Sequence, residues 1–170
     1  MASSASLPSF QSDCLSAHND FRATHHAPDL TWNETLADSS RRWAQECQWK
    51  HSEGKMLPGG GYGENLFATA SNAFKANDTS IMDTKAGVDA WNSEESMYDY
   101  DKPTGFSEAT GHFTQTVWKS TSSVGCWFQA CKGIFGGSDI GVYLVCQYYP
   151  AGNVVTDDLQ YFKDNVQAPS

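Results

Sequence analysis

Basic residues are scarce in this chain: 11 Lys and Arg stand against 20 Asp and Glu among 170 residues, a formal net charge of −9. A surface of that sign repels phosphate backbones and anionic bilayers unless its cations cluster, and here they do not. Nucleic acid is therefore not an expected partner. Long apolar runs are also missing, and nothing approaches the ~18 residues of a membrane-spanning helix, so no transmembrane segment is expected. The opening "MASSASLPSF" lacks the apolar centre of a secretory signal. Either the protein stays in the cytosol or a signal has been removed. Zinc and redox patterns are absent too, since Cys14, Cys47, Cys126, Cys131 and Cys146 show no CxxC spacing. Disulfides remain as the use of these cysteines, which predicts a secreted, extracellular protein. The sequons "NET" at Asn33 and "NDT" at Asn77 are candidate glycosylation sites in that setting.

A chain of this length supports one sizeable core, and no repeat or linker divides it. Aromatics make up 13% of the residues, with 6 Trp and 7 Tyr. That is more than a minimal core needs, and suggests aromatic-lined surfaces or grooves.

Ser12 or Asp13 can cap a helix through "CLSAHNDFRATHH", with Leu15, His18, Phe21 and Arg22 along one side and Pro28 as the break. Leu36, Ser40, Trp43, Ala44 and Cys47 follow a 3.6 period behind a capping Asn33, which predicts a second helix presenting Cys47 on its buried stripe. "GKMLPGGGYGENLF" reads as a glycine loop that delivers Glu64 and Asn65. A third helix is predicted from about Ser80 to Ser96, with Ile81, Val88 and Trp91 facing in. "YDYDKPTGFSEAT" is an aromatic loop, and "SVGCWFQAC" and "IGVYLVCQYY" are strands joined by the turn-rich "KGIFGGSD". "GHFTQTVWKST", residues 111–121, shows neither the alternation of a strand nor the stripe of a helix. The tail from Ala151 lacks periodicity. The domain expected is 12–155, after a flexible segment 1–11 and before a tail 156–170, built as a mixed sheet with helices packed against it.

Cys126 and Cys131 are five apart in one strand, so they point to opposite faces of the sheet. Cys146 on the neighbouring strand suits one of them and Cys47 the other, leaving Cys14 over. His51, Glu64, Glu94 and His112 are residue types that suit a divalent metal or an acid/base pair, although spacing alone does not group them.

"GHFTQTVWKST" resembles the first signature of the CAP superfamily, the cysteine-rich secretory, antigen 5 and pathogenesis-related class 1 proteins. "YLVCQYYPAGNV" at 143–154 resembles the second signature, and "HNDFR" at 18–22 and "GENL" at 63–66 resemble two shorter motifs in the family order. The match is closest to fungal members. It implies an α+β fold, a three-layer α-β-α sandwich with a central, largely antiparallel sheet and a wide cleft. It also implies that His51, Glu64, Glu94 and His112 meet in that cleft, because "CQWKHS", "GENL", "WNSEE" and "GHFT" match family motifs at those positions. Its disulfide pattern implies Cys47–Cys131 and Cys126–Cys146, with Cys14 a free, buried thiol.

Family members have held divalent ions between the two histidines, so a weakly bound zinc or similar ion at His51 and His112 is expected here. No Ser or Cys sits in a recognisable nucleophile motif, and the chain is expected to be non-enzymatic. The expected activity is binding of a small hydrophobic ligand, a sterol or a fatty acid, with a role in defence or host–pathogen interaction. A metal-dependent hydrolase, or a signalling protein acting on a macromolecule, is the alternative. Relatives bind sterol through an aromatic loop spaced aromatic, one residue, aromatic, four residues, aromatic. Here Tyr98 and Tyr100 are followed by five residues before Phe106, and Asp101 and Lys102 bring charge to the docking surface. This predicts poor sterol binding. Thr116 also departs from the signature, which usually has an aliphatic residue there.

Overall fold

The chain is built around a strand covered on both faces. In the computed structural model, which describes residues 7–77 and 81–170, β4 (Ile140–Tyr149) runs antiparallel to β3 (Ser123–Lys132) on one side and to β2 (Gly63–Ser71) on the other. The two-residue β1 (Thr31–Trp32) adds to β3 in parallel, giving the order β1-β3-β4-β2. Val142, Leu144, Cys146 and Tyr148 pack with Cys14, Val88 and Trp91, while Tyr143 and Val145 pack with Trp43 and Ala44. Side chains alternate with period two along a strand, so these two sets line opposite faces. The first face carries α1 (Leu7–Thr24), α3 (Thr84–Asn92) and α4 (Gly111–Val117); the second carries α2 (Glu34–Gln45). This is the three-layer α-β-α arrangement expected, with β1 the parallel member among the described strands.

Several elements depart from the expectations above. α1 is already helical at Leu7, five residues before Ser12. Pro at the start of a helix costs no helix bond, and Phe10 packs its ring 6.2 Å from Trp32 and 5.8 Å from Phe128. α2 is capped as predicted, Asn33 Oδ1 accepting from Thr35 N and Leu36 N at 2.9 and 3.1 Å. It stops at Gln45, however, and Cys47 lies beyond it at φ 51. The cysteine is presented by the turn after the helix, not by the helical stripe.

"GENL" is strand, not loop. The glycine loop ends at Tyr62, and β2 pairs with β4 along its whole length, Gly63 opposite Tyr148 through Ser71 opposite Ile140. α3 begins at Thr84, where Asp83 Oδ1 accepts from Ala86 N, and ends at Asn92, after which Ser93–Met97 tightens into a 3-10 turn. Ile81 packs against the core from outside the helix, and Ser80 lies outside the described residues. The tail also folds: α5 (Gln160–Asn165) buries Phe162 with its ring 5.0 Å from Trp118, and Val166 joins the same cluster.

Cys47 bonds Cys131, and Cys126 bonds Cys146, directly opposite it in the β3–β4 register. Cys14 is free and buried.

α4 is a helix of only seven residues, and Arg22 is what anchors its end. The fully buried guanidinium donates from Nη1 to Thr116 O and Trp118 O at 2.9 and 3.0 Å, from Nη2 to Thr121 O at 3.0 Å and from Nε to Pro28 O at 2.9 Å. The C-terminal carbonyls of a helix lack partners of their own, and the planar five-donor fork of arginine suits several at once. Burial lowers its pKa to about 10.

Candidate functional site

The four polar residues form two His–Glu pairs. Glu64, second residue of β2, is almost fully buried and receives four bonds: His51 Nδ1 at 2.9 Å, Ser52 N at 2.9 Å, Ser52 Oγ at 2.6 Å and Gln147 Nε2 at 2.9 Å. Burial alone would raise this carboxyl, but the bonds from His51, Ser52 and Gln147 outweigh it and hold its pKa below the usual range. Ser39 in turn donates its hydroxyl to Gln147, so the network reaches back to α2.

The second pair is built at a helix start. Glu94, in the 3-10 turn, accepts from His112 N and Phe113 N through Oε2, both at 3.0 Å, and meets His112 Nδ1 through Oε1 at 2.7 Å. The first N–H groups of a helix have no partners within it, and a carboxylate there answers both the N–H groups and the helix dipole. That explains why so short a helix forms at "GHFTQTV". His112 also stacks on Trp91, centroids 6.2 Å apart, and Trp91 donates its indole N–H to Leu66 O at 2.9 Å.

The pairs are tied together by Asn65. It follows Glu64 on β2 and donates Nδ2 to His112 O at 3.1 Å. Thr116, the residue that departs from the aliphatic pattern, donates its hydroxyl to the same carbonyl at 3.0 Å.

A carboxylate can only accept, so in both pairs Nδ1 carries the proton and Nε2 is left as the nitrogen that could meet a metal. The carboxylates orient the rings rather than serve as ligands. Among the described residues, the group of three His, Cys, Asp or Glu ligand atoms lying within 4.8 Å of one another is Cys14, Cys126 and Cys146, not the two His–Glu pairs.

In the aromatic loop, Tyr98 and Tyr100 lie 5.1 Å apart and pack on Phe113 at 5.6 and 6.4 Å. Phe106 does not join them. It stands 53% exposed over Gly111, where a Cβ would come 2.5 Å from its ring. The added residue is absorbed in a turn in which Asp99 Oδ1 accepts from Asp101 N and Lys102 N at 2.9 and 3.1 Å. Glu95, beside Glu94, receives Tyr100 OH at 2.9 Å and meets buried His25 Nε2 at 3.2 Å. Burial raises the pKa of Tyr98 to about 12, helped by Asp99. For Tyr100, burial and then Glu95 act in the same direction. Sequence reasoning does not single out Ser52, Gln147, Glu95 or His25. Ser52 sits inside the "CQWKHS" match and Gln147 inside the second signature, which is the signal that could have found them.

Two His–Glu pairs at one end of an α-β-α sandwich define the class, and comparison with known proteins assigns it. Residues 15–148 match the cysteine-rich secretory protein (CAP) family, and the chain belongs to that family. Fruiting body protein SC7 of Schizophyllum commune is 40% identical over 98% of this chain and 77% of its own length. Protein PRY2 of Saccharomyces cerevisiae is 39% identical over 92% of this chain, and secreted protein RBT4 of Candida albicans 35% identical over 94%. The chain spans 41% of each of these last two relatives. Among solved structures, NaASP2 with Zn2+ superposes with a TM-score of 0.68 at 22% identity, covering 94% of this chain and 85% of that one. Na-ASP-1 superposes at 0.65 and 21%, covering 94% of this chain and 41% of that one.

Proposed function

We propose that the chain is a secreted, non-enzymatic protein that binds a small hydrophobic ligand, a fatty acid or a sterol, at the aromatic loop 98–106. The observation that carries this reading is the division of the loop's apolar residues. Tyr98 and Tyr100 are anchored on Phe113, while Met97 just before the loop and Phe106 at its far end are 61% and 53% exposed. Val155, 59% exposed, lies close to the loop at Gly105. Exposed apolar side chains gathered around an anchored base are what a hydrophobic ligand would cover. Sterol is the weaker candidate, because Phe106 is displaced from the tyrosines and Lys102 is exposed beside them.

Secretion is supported by the two disulfides and by the relative described as a secreted protein. Asn77 is exposed and available to a glycan, whereas Asn33 has its side-chain oxygen engaged in the α2 cap. A divalent ion would bind through Nε2 of His51 and His112, and NaASP2, a protein of the same fold solved with Zn2+, lends support by analogy. Against a hydrolase with a serine or cysteine nucleophile, the bonds to Nδ1 of His51 and His112 come from Glu64 and Glu94 and not from a hydroxyl or thiol.

Titrating a fluorescent fatty acid and a fluorescent sterol against the native chain, with and without zinc, tests the reading. Saturable binding that weakens in Tyr98→Ala and Phe106→Ala is expected. No saturable binding of either ligand under both conditions would refute it, and zinc-dependent cleavage of an ester substrate would favour the hydrolase.

A further inference from the structure

Three sulfur atoms meet in the core. Cys14 Sγ of α1 lies 3.0 Å from Cys126 Sγ of β3, and the ligand atoms of Cys14, Cys126 and Cys146 are all within 4.8 Å of one another. All three side chains are fully buried. While Cys126 and Cys146 are bonded to each other, the cluster is not a metal site, because neither sulfur is a thiolate. It does place a thiol in contact with a disulfide.

We propose that Cys14, Cys126 and Cys146 form a thiol–disulfide exchange triad, in which Cys14 replaces Cys146 as the partner of Cys126. The thiolate of Cys14 attacks Cys126 Sγ, the Cys14–Cys126 bond forms, the Cys126–Cys146 bond breaks and Cys146 leaves as the thiolate. The proton lost by Cys14 ends on Cys146. One disulfide and one thiol stand on each side, so no oxidant or reductant is required.

The surroundings support both covalent forms. His18 Nδ1 lies 2.7 Å from Cys14 O, which only accepts, so Nδ1 carries the proton; it is also 3.7 Å from Cys14 Sγ and is the donor available to a thiolate there. With Nδ1 protonated, the other nitrogen, Nε2, accepts from Tyr148 OH at 2.8 Å. The sheet does not need its own crosslink to hold register, because β3 and β4 pair over ten positions, Ser123–Tyr149 through Lys132–Ile140. The alternative bridge would join α1 to the sheet and span a sequence separation of 112 instead of 20. A longer closed loop restricts the unfolded chain more. Burial, with Asp13 nearby, pushes the Cys14 thiol well above its ordinary range, so the thiolate is rare at neutral pH and exchange is slow.

Two measurements test this. The native chain is incubated at mildly alkaline pH, quenched in acid, unfolded, alkylated at low pH and mapped by mass spectrometry. Alkylation divided between Cys14 and Cys146, with a Cys14–Cys126 peptide and an intact Cys47–Cys131 bridge, is expected. Label on Cys14 alone after prolonged incubation overturns the proposal, and so does scrambling that mobilises Cys47 and Cys131 equally. In Cys146→Ala, oxidatively folded, no free thiol is expected, because Cys14 closes on Cys126; two free thiols in a folded variant also overturn it. Should that variant fail to fold, the native chain alone decides.

Discussion

Asn65 donates its side-chain amide to the carbonyl of His112 at 3.1 Å, across the gap between β2 and α4. Because Glu64 precedes Asn65 and Phe113 follows His112, this bond fixes one His–Glu pair relative to the other and both relative to the aromatic cluster. Asn65 is buried, and Tyr148 OH stands 3.4 Å from the same Nδ2. Asn65→Ala would leave the His112 carbonyl with Thr116 as its remaining side-chain donor. A loss of about 1–3 kcal/mol in urea unfolding is expected for such a buried group. A variant as stable as the native chain would show that the amide is not what joins the two pairs.

For metal, the expectation follows from the free Nε2 atoms. Zinc titrated calorimetrically should bind weakly to the native chain and lose most of its affinity in His112→Ala or His51→Ala. Glu94→Gln should weaken it less, about 10-fold, as is usual when the hydrogen-bond partner of a ligating imidazole is altered, since the ring keeps a partner without the charge. Unchanged affinity in both histidine variants would place the ion elsewhere.

His18 gives the fold an acid limit. Burial, outweighing the bond to Cys14 O and reinforced by Arg22, lowers its pKa from 6.5 to about 4. Between those values the unfolded chain binds the proton and the folded chain does not, so stability falls as pH falls. The contribution is complete above pH 6.5 and declines by about 3 kcal/mol once pH reaches 4 or below. Glu64, whose pKa is also lowered, adds a loss of the same sign at pH values below the ordinary carboxylate range. Unfolding by urea at pH 7, 5.5 and 4 should show this slope in the native chain and a flatter one in His18→Gln. Parallel slopes would remove His18 as the cause.

What can be read from the sequence follows the range of the interactions. α2 is legible because its cap, Asn33, and its stripe, Leu36, Ser40, Trp43 and Ala44, are local to one helix. β3 and β4 are legible as runs rich in Val, Ile and aromatic residues. β2 is not: "GENLFATAS" carries little β-branched character, and what makes it a strand is pairing with β4 some 70–85 positions away. α4 escapes for the same reason, since its start is held by Glu94 and its end by Arg22 from other elements. The pairing of the cysteines comes from the opposite-face geometry of Cys126 and Cys131 together with the family resemblance. The grouping of His51, Glu64, Glu94 and His112 comes from the resemblance alone.

Arg22 is the strongest case of such a distant anchor. A lysine there would supply one ammonium in place of a fork serving Pro28, Thr116, Trp118 and Thr121. Arg22→Lys should therefore cost about 3 kcal/mol or more, the range seen when a buried polar network is broken, and should loosen α4. Amide hydrogen exchange over 111–121 is the direct measurement: protection equal to that of the native chain would mean α4 does not depend on Arg22.

The aromatic loop offers a test in which affinity should rise rather than fall. Five residues separate Tyr100 from Phe106, and the Asp99 turn spends Asp101 and Lys102 in a local bend, leaving Phe106 outside the cluster formed by Tyr98, Tyr100 and Phe113. Deleting exposed Thr104 shortens the segment by one residue without removing Gly105, whose φ of 84° and close packing on Leu159 suit no other residue. If sterol needs the third ring at the regular offset, the deletion should improve binding over the native chain. Lys102→Leu should act in the same direction, because a charge facing a sterol loses hydration without compensation. Tyr100→Ala removes an anchored ring and its bond to Glu95, and should abolish whatever binding the loop supports. Tight native sterol binding that survives Tyr100→Ala would take this loop out of ligand recognition, whatever the deletion does.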